Sequence, residues 1–313
     1  MLPQQFQKIT TRGVVGMILA RLDTGSNAWL DSICMRVTSN QATEEYGWLG
    51  ATPALREFIG GRTPAQLKEN SFTISNKDYE GSITIKSKDM RRDKLGMITI
   101  RVNQLSDRAT DHPAKLVSQL ILNGESAVCY DGQYFFDTDH QEGDSGTQSN
   151  DLSRPIAAAA TPTEDEMSDS ILAAIVAMYG FKDDRGEPMN QSATEFLVMV
   201  PPSLMGVALK AVKAILGTGG KSATLNTLKN DFTISIAVNP RLSSWTTKFV
   251  VMRTDDAAKP FILQEEDIPD VIALGEGSEY EQQHKEHLYG VDWTGNTGYG
   301  YWQDAVLVTH TTA

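Results

Sequence analysis

Two cysteines, Cys34 and Cys129, are all that the 313 residues contain. That number excludes a disulfide-framed secreted scaffold and a cysteine-based zinc module. No apolar run reaches the roughly 18 residues that a membrane-spanning helix requires. The first residues, MLPQQFQKITTRG, carry no signal-peptide pattern, so a reducing, cytosolic setting is expected. Basic residues are also in deficit: 28 Lys and Arg stand against 40 Asp and Glu, a net charge of −12. A dedicated reader of nucleic acid carries a basic face, so the balance argues against that class. Internal repeats and long low-complexity linkers are lacking too. What is present is an ordinary globular composition, 40% hydrophobic and 22% charged, long enough for one large domain or two modest ones.

The charge is unevenly placed. Between Gly50 and Leu95 stand nine basic residues, Arg56, Arg62, Lys68, Lys77, Lys86, Lys88, Arg91, Arg92 and Lys94, against six acids. That window carries +3 and leaves −15 for the rest, much of it between Asp255 and Asp304, where twelve acids face Lys259 and Lys285. Opposite potentials on one chain steer copies of it toward each other, although a solvated surface produces the same clustering.

Periodicity sets out the elements. Residues 1 to about 45 show no strong period and read as an arm with one short helix. Phe72 and Ile74 alternate with polar residues, NKDYEG reads as a break, and Ile83 and Ile85 alternate again. The result is a long polar hairpin that cannot stand alone and must lie on something else. Ile98, Val102, Leu105, Ala109, Leu116 and Leu120 form one helical stripe from about 95 to 122. Gly124 is expected to stop it, and Pro113 to kink or split it with Asp111 capping the second half. Unbroken, it would measure roughly 40 Å, the length of a strut. CYDGQYFF reads as a short strand and turn. Thr163 and Glu166 make a capping-box pattern ahead of a helix closed by Gly180. EFLVMV is a buried strand, and Pro201-Pro202 introduce a third helix ending at Gly217. FTISIAVNP, TKFVVMR, PFILQ and DAVLVTH are strands, an order that favours α+β.

The chemical motifs are weak. GTGGKS (217–222) follows a helix instead of opening one and lacks the first glycine of a phosphate loop, Ile215 standing there. GDSG (143–146) has only His140 nearby, in the same loop, which favours a solvated turn over a catalytic serine. Asp137, Asp139, His140, Glu142 and Asp144 offer oxygens to a hard cation, but without the spacing of a calcium loop. Glu281 and His284 make a single Glu-x-x-His unit where a di-iron bundle needs two. The aromatics Tyr289, Trp293, Tyr299, Tyr301 and Trp302 read as core and turn more readily than as a ligand platform. Catalytic, cofactor-binding and metal-ligating residues are therefore expected to be none, and an enzyme is not the expected class.

The ordered segments LREFIGGR, NKDYEGSITI, DKLG, HPAKLV, YDGQYFFDTDH and YGVDWTGNTGYGYWQ resemble the Mu-like phage and prophage major head subunit, from about Thr43 to the C-terminus. The resemblance implies the tailed-phage major capsid (Johnson) fold, α+β, with five parts. These are an N-terminal arm (1–45), an extended E-loop hairpin (46–94), the spine helix with the first part of the P-domain (95–159), the A-domain (160–242) and the rest of the P-domain (243–313). It further implies pentamers and hexamers in an icosahedral shell around double-stranded DNA, within the virion, after assembly in the host cytoplasm. Implied partners are other copies of the chain, a separate scaffold protein, a maturation protease, a portal, a decoration protein, and DNA held without sequence-specific contact; no membrane and no cofactor are implied. Arg56, Arg62, Lys86, Arg91 and Arg92 are the residues expected to carry ionic contacts from the hairpin and its base to an acidic neighbour. Two other readings stay open: an encapsulin-type compartment shell holding protein cargo, and a soluble metal-dependent enzyme using the 137–144 loop.

Overall fold

The structure, a computed structural model, describes residues 11–24, 27–47, 72–92, 96–215, 232–267 and 269–313. Two five-stranded sheets organise them. The first takes β1 (Cys34–Thr38), β4 (Lys77–Lys86), β9 (Phe261–Glu265), β10 (Asp270–Leu274) and β11 (Glu286–Tyr299). The second runs β5 (Asp151–Ile156), β12 (Ala305–Thr312), β8 (Lys248–Arg253), β6 (Glu195–Val200) and β7 (Thr233–Val238). A short ribbon pairs β2 (Thr43–Glu45) with β3 (Thr73–Ser75). Parallel pairs (β1 with β9, β5 with β12, β6 with β7) mix with antiparallel ones, as α+β predicts. Among the described residues no helix is long and apolar enough to cross a membrane.

The central strands β6 and β8 of the second sheet are apolar because the sheet is covered on both faces there. Phe196, Leu197, Val198, Met199 and Val200 are all buried, as are Phe249 to Met252. α6 (Glu164–Gly180) and α7 (Met205–Ile215) pack on each other and on this sheet. The capping box forms as expected, with the Thr163 hydroxyl accepting from the Glu166 amide and Glu166 accepting from the Thr163 amide. The strands β8 and β12 come from beyond residue 242, so this sheet draws on both sides of that position.

The part of the first sheet made by β10, β11 and β4 is covered on one face, whereas β9 is buried on both. β11 alternates strictly: His287, Tyr289, Val291 and Trp293 turn inward, with Leu288, Asp292 and Thr294 half-buried between them. Tyr289 and Val291 join Ile85, Met90, Ile98 and Val102 in a small core under α1 (Thr11–Thr24), α3 (Ser87–Arg92) and α4 (Met97–Thr110). This is where the sequence reading needs correction. NKDYEG is no break, because Lys77 to Lys86 form one ten-residue strand registered against Gly295 to Glu286. Its polar character reflects a strand whose outer face is bare. The first 45 residues are likewise more than an arm: α2 (Ala28–Ile33) and β1 enter the main core through Leu30, Ile33 and Cys34.

The strut is two helices, α4 and α5 (His112–Asn123), split beside Pro113. Asp111 makes no side-chain cap; its carboxylate accepts instead from Asn27 Nδ2 at 3.2 Å. Gly124 follows α5 but is not left-handed (φ −59°). It is glycine because a Cβ there would press into the Phe136 ring. CYDGQYFF makes only an isolated bridge between Val128 and Tyr134. The closing aromatics are core, Trp302 and Tyr289 fully buried.

Both cysteines are buried, and burial pushes each thiol well above its ordinary range. The folded chain is therefore expected to resist thiol-reactive dye at pH 8 and to react at two sites once unfolded in denaturant. Prompt labelling of the native chain would contradict this burial.

Candidate inter-subunit surface

The open face of the first sheet is the most distinctive surface of the molecule. Across β10, β11 and β4 it presents two rows, Leu274–Leu288–Thr84 and Ile272–Gly290–Ser82. Ile272 and Leu274, on the edge strand β10, are 40% and 41% exposed. Gly290 leaves the centre flat, and a Cβ there would meet the Gly81 carbonyl, Ser82 and Ile272 at ordinary contact distances. The opposite face of the same strands carries Ala273, Tyr289 and Ile83 into the small core, so the bare face is not a register accident.

Of the residues expected to make contacts, Arg56 and Arg62 lie outside the described residues. Lys86 ends β4 opposite Glu286, and Arg91 and Arg92 occupy the last turn of α3. All three are exposed, and none makes an ion pair among the described residues. Helix α3 holds them in place because Met90 anchors its underside and Ser87 is pinned at its start. The Ser87 hydroxyl donates to Glu281 Oε1 at 3.0 Å, and the same carboxylate accepts from the Gly277 amide and from His287 Nε2 at 2.8 Å. Those bonds, the Gly277 amide first, hold the Glu281 carboxyl down at about 2. Glu281 thus serves as a latch between α3, α8 (Glu279–His284) and β11, and it pairs with His287, not with His284 as the Glu-x-x-His spacing suggested.

The remaining motifs resolve as structure. In the 137–144 loop Asp137 accepts the amides of Tyr134 and Thr138 and lies beside Asp139, whose carboxyl it raises through a shared hydrogen bond, while His140 turns fully inward. There its Nδ1 meets Asp131 Oδ2 at 2.6 Å, its Nε2 meets Asn150 Oδ1 at 3.1 Å, and its ring stacks on Trp302 at 3.9 Å between centroids. Burial pushes the Asp131 carboxyl up, but hydrogen bonds from His140 and Cys129 outweigh it and leave the group below the usual range. Cys129, Asp131 and His140 bring three ligand-type atoms within 4.8 Å, one donor short of a zinc tetrahedron and already engaged with one another. Sequence spacing missed Asp131 and Asn150; only tertiary packing brings them to His140. Ser145 of GDSG donates to the Gly146 carbonyl and accepts from the Glu142 amide, away from His140. GTGGKS lies outside the described residues.

The surface thus sets exposed cations that make no ion pair among the described residues beside an aliphatic sheet face, a combination found where macromolecules meet. Comparison with known proteins points the same way. A stretch of 110 residues is 36% identical to the major capsid protein of Escherichia phage Mu, covering 35% of this chain and 36% of that protein. The match thus spans about a third of its curated relative. Among solved structures, the procapsid of bacteriophage JBD30 superposes with a TM-score of 0.56 at 23% identity, over 96% of this chain and 73% of that one. The capsid of cyanophage P-SCSP1u gives 0.58 at 10% identity, over 92% and 89%. At such identities the likeness is one of fold, the α+β phage-capsid fold. The family model described as "Mu-like prophage major head subunit gpT" matches residues 19–162 and 233–312, most of the chain, and the chain therefore belongs to that family.

Proposed function

We propose that the chain is a major head subunit that assembles as pentamers and hexamers into an icosahedral shell around double-stranded DNA. The observation that carries this reading is the bare face of the first sheet: Ile272, Leu274 and Leu288 around Gly290, a surface that a folded monomer has no reason to leave in water. A neighbour's hairpin laid across it would bury the aliphatic rows. It would also bring the basic residues of 50–95, including Arg56, Arg62, Lys86, Arg91 and Arg92, toward the acidic stretch 255–304. The role is structural and not catalytic.

In this reading 1–45 is the N-terminal arm, 46–94 the E-loop, 95–159 and 243–313 the spine and P-domain, and 160–242 the A-domain. β8 and β12 then reach from the last segment into the sheet of the A-domain. Scaffold, maturation protease, portal and decoration proteins are the further partners. The net charge of −12 suits a container that holds DNA without gripping its phosphates, leaving it free to exit.

Electron microscopy of the chain produced with its scaffold tests the proposal. Closed shells are expected, and nuclease-protected DNA in the complete particle separates a phage head from a protein-filled compartment of the same fold. Reversing Arg91 and Arg92 to glutamate is expected to cut shell yield about tenfold while leaving monomer stability within about 0.5 kcal/mol, since both are exposed and make no ion pair among the described residues. Monomers alone, with and without scaffold, would defeat the head-subunit reading.

A further inference from the structure

Cys129 and Asp131 stand on the turn after α5, His140 on the loop that follows, and their side chains meet out of reach of solvent. Cys129 is 4% exposed, and the side chains of Asp131 and His140 are 1% and 0% exposed. The Cys129 thiol donates to Asp131 Oδ1 at 3.0 Å, and His140 Nδ1 meets Asp131 Oδ2 at 2.6 Å. Each contact holds a proton, since the sulfur and the nitrogen both face a carboxylate oxygen.

The far side of the His140 ring is fixed by Asn150. Its amide nitrogen donates to the carbonyls of Phe135, Trp302 and Ala305 at 2.8, 3.3 and 3.2 Å, which turns Oδ1 toward the ring. Oδ1 can only accept, so His140 Nε2 carries a proton and donates to it at 3.1 Å. A histidine tied to a carbonyl oxygen through one nitrogen presents the other as a ligand, the arrangement found around bound metals. Asp131 is also held in place, its Oδ1 accepting the Gln133 amide at 3.0 Å.

Counted at one atom per residue, the cluster is a donor short of a tetrahedron. Both oxygens of Asp131 face the other two ligands, however, so a bidentate carboxylate supplies the fourth donor. Zinc bonds of about 2.3 Å to sulfur and about 2.0 Å to nitrogen and oxygen set such donors roughly 3.3–3.6 Å apart. The contacts of 2.6 and 3.0 Å would therefore open by only roughly half an ångström each.

We propose that Cys129, Asp131 and His140 form a structural zinc site, in which one Zn²⁺ replaces the two protons that join them. The exchange balances: thiolate, carboxylate and neutral imidazole hold the dication, two protons leave to solvent, and the net charge of the buried cluster is unchanged. Thiolate together with imidazole selects zinc over magnesium or calcium. The cluster lies beneath a turn whose Gly132 and Tyr134 are exposed, so opening that turn admits the ion. Through Asn150 the bound metal ties the exit of α5 to the start of β12. The inference goes beyond the head-subunit reading and does not depend on it.

The test uses the full purified chain, stripped with chelator and then dialysed against micromolar free Zn²⁺. Elemental analysis is expected to find one zinc per chain. Cobalt in its place is expected to give a near-ultraviolet thiolate-to-metal band and the intense visible bands of a four-coordinate ion. Cys129→Ser is expected to weaken zinc binding about a hundredfold or more and to remove the thiolate band, while Cys34→Ala keeps both. A folded, unsubstituted chain that retains no zinc, or whose cobalt complex lacks the thiolate band, would overturn the site. Zinc held equally well by Cys129→Ser would place the ion elsewhere and overturn it too.

Discussion

Replacing Ile272 and Leu274 together by aspartate is expected to abolish shell formation while the monomer stays folded. Both side chains stand on the bare face of the first sheet, 40% and 41% exposed, so neither contributes much to the monomer's core. Covered by a neighbour, each aliphatic side chain would bury its remaining two-fifths and gain about 0.6–1.2 kcal/mol, and a buried unpaired carboxylate costs more than that gain. Two such losses at every repeat of the contact correspond to a drop in association of about a hundredfold or more. Sedimentation and microscopy read the yield of shells, and a thermal melt reads the monomer. Normal shells from the double variant would show that this face is not the one a neighbour covers. Substituting Val271 and Ala273, which point the other way into the small core, is the control: it should unfold the region before it affects assembly.

The second large effect lies in the polar cluster at the end of β8. Arg253 is 4% exposed, and its guanidinium donates to Asp255 Oδ1 at 2.6 Å, Asp256 Oδ2 at 2.9 Å, Asn190 Oδ1 at 3.0 Å and Ser192 Oγ at 3.1 Å. Asp255 in turn accepts from the Thr194 amide, so one side chain fastens the loop before β6 to the end of β8. Methionine at 253 keeps the stem but strands these acceptors. The expected loss is about 1.5–3 kcal/mol, read from the denaturant midpoint, because charge-assisted hydrogen bonds are lost and Asp255, 16% exposed, is left without its cation. A loss below about 1 kcal/mol would mean that water replaces the guanidinium.

Asp304 gives the same cluster an opposite response. It is 3% exposed, and burial first, then Asp256, push its carboxyl up to about 7, against the pull of Arg253 and Lys259. A carboxyl raised from 3.8 in the folded state holds its proton there after the unfolded chain has released it. Stability therefore falls as pH rises from about 4 to about 7. Asparagine at 304 does not titrate, so the variant should gain on the parent across that window, by a limit on the order of 2–4 kcal/mol. Parallel stability curves from pH 4 to 8 would rule out this account of Asp304.

Much of this was legible from residue order. The stripe from Ile98 to Leu120, the Thr163–Glu166 box, the buried run EFLVMV and the aromatic core at 289–302 are local patterns, and local patterns follow from side-chain period and capping chemistry. The head-subunit family was legible too, in an ordered series of short segments. NKDYEG was misread because a strand with one wet face shows polar residues wherever it faces outward, and only its ladder with β11 reveals it. Asp131 and Asn150 were missed because their meeting with His140 depends on a loop folding back on itself.

By itself, then, the sequence determined the α+β class, the paired helices of the strut, and the uneven charge of a chain with few cysteines and a deficit of base. Each depends on neighbours a few residues apart or on composition. The tertiary structure alone decided which face of β4, β10 and β11 stays bare, that Cys129, Asp131 and His140 converge beside Trp302, and that Arg253 and Asp304 share one buried cluster. Those features join residues up to two hundred positions apart, and no spacing along a chain encodes which strands will lie side by side.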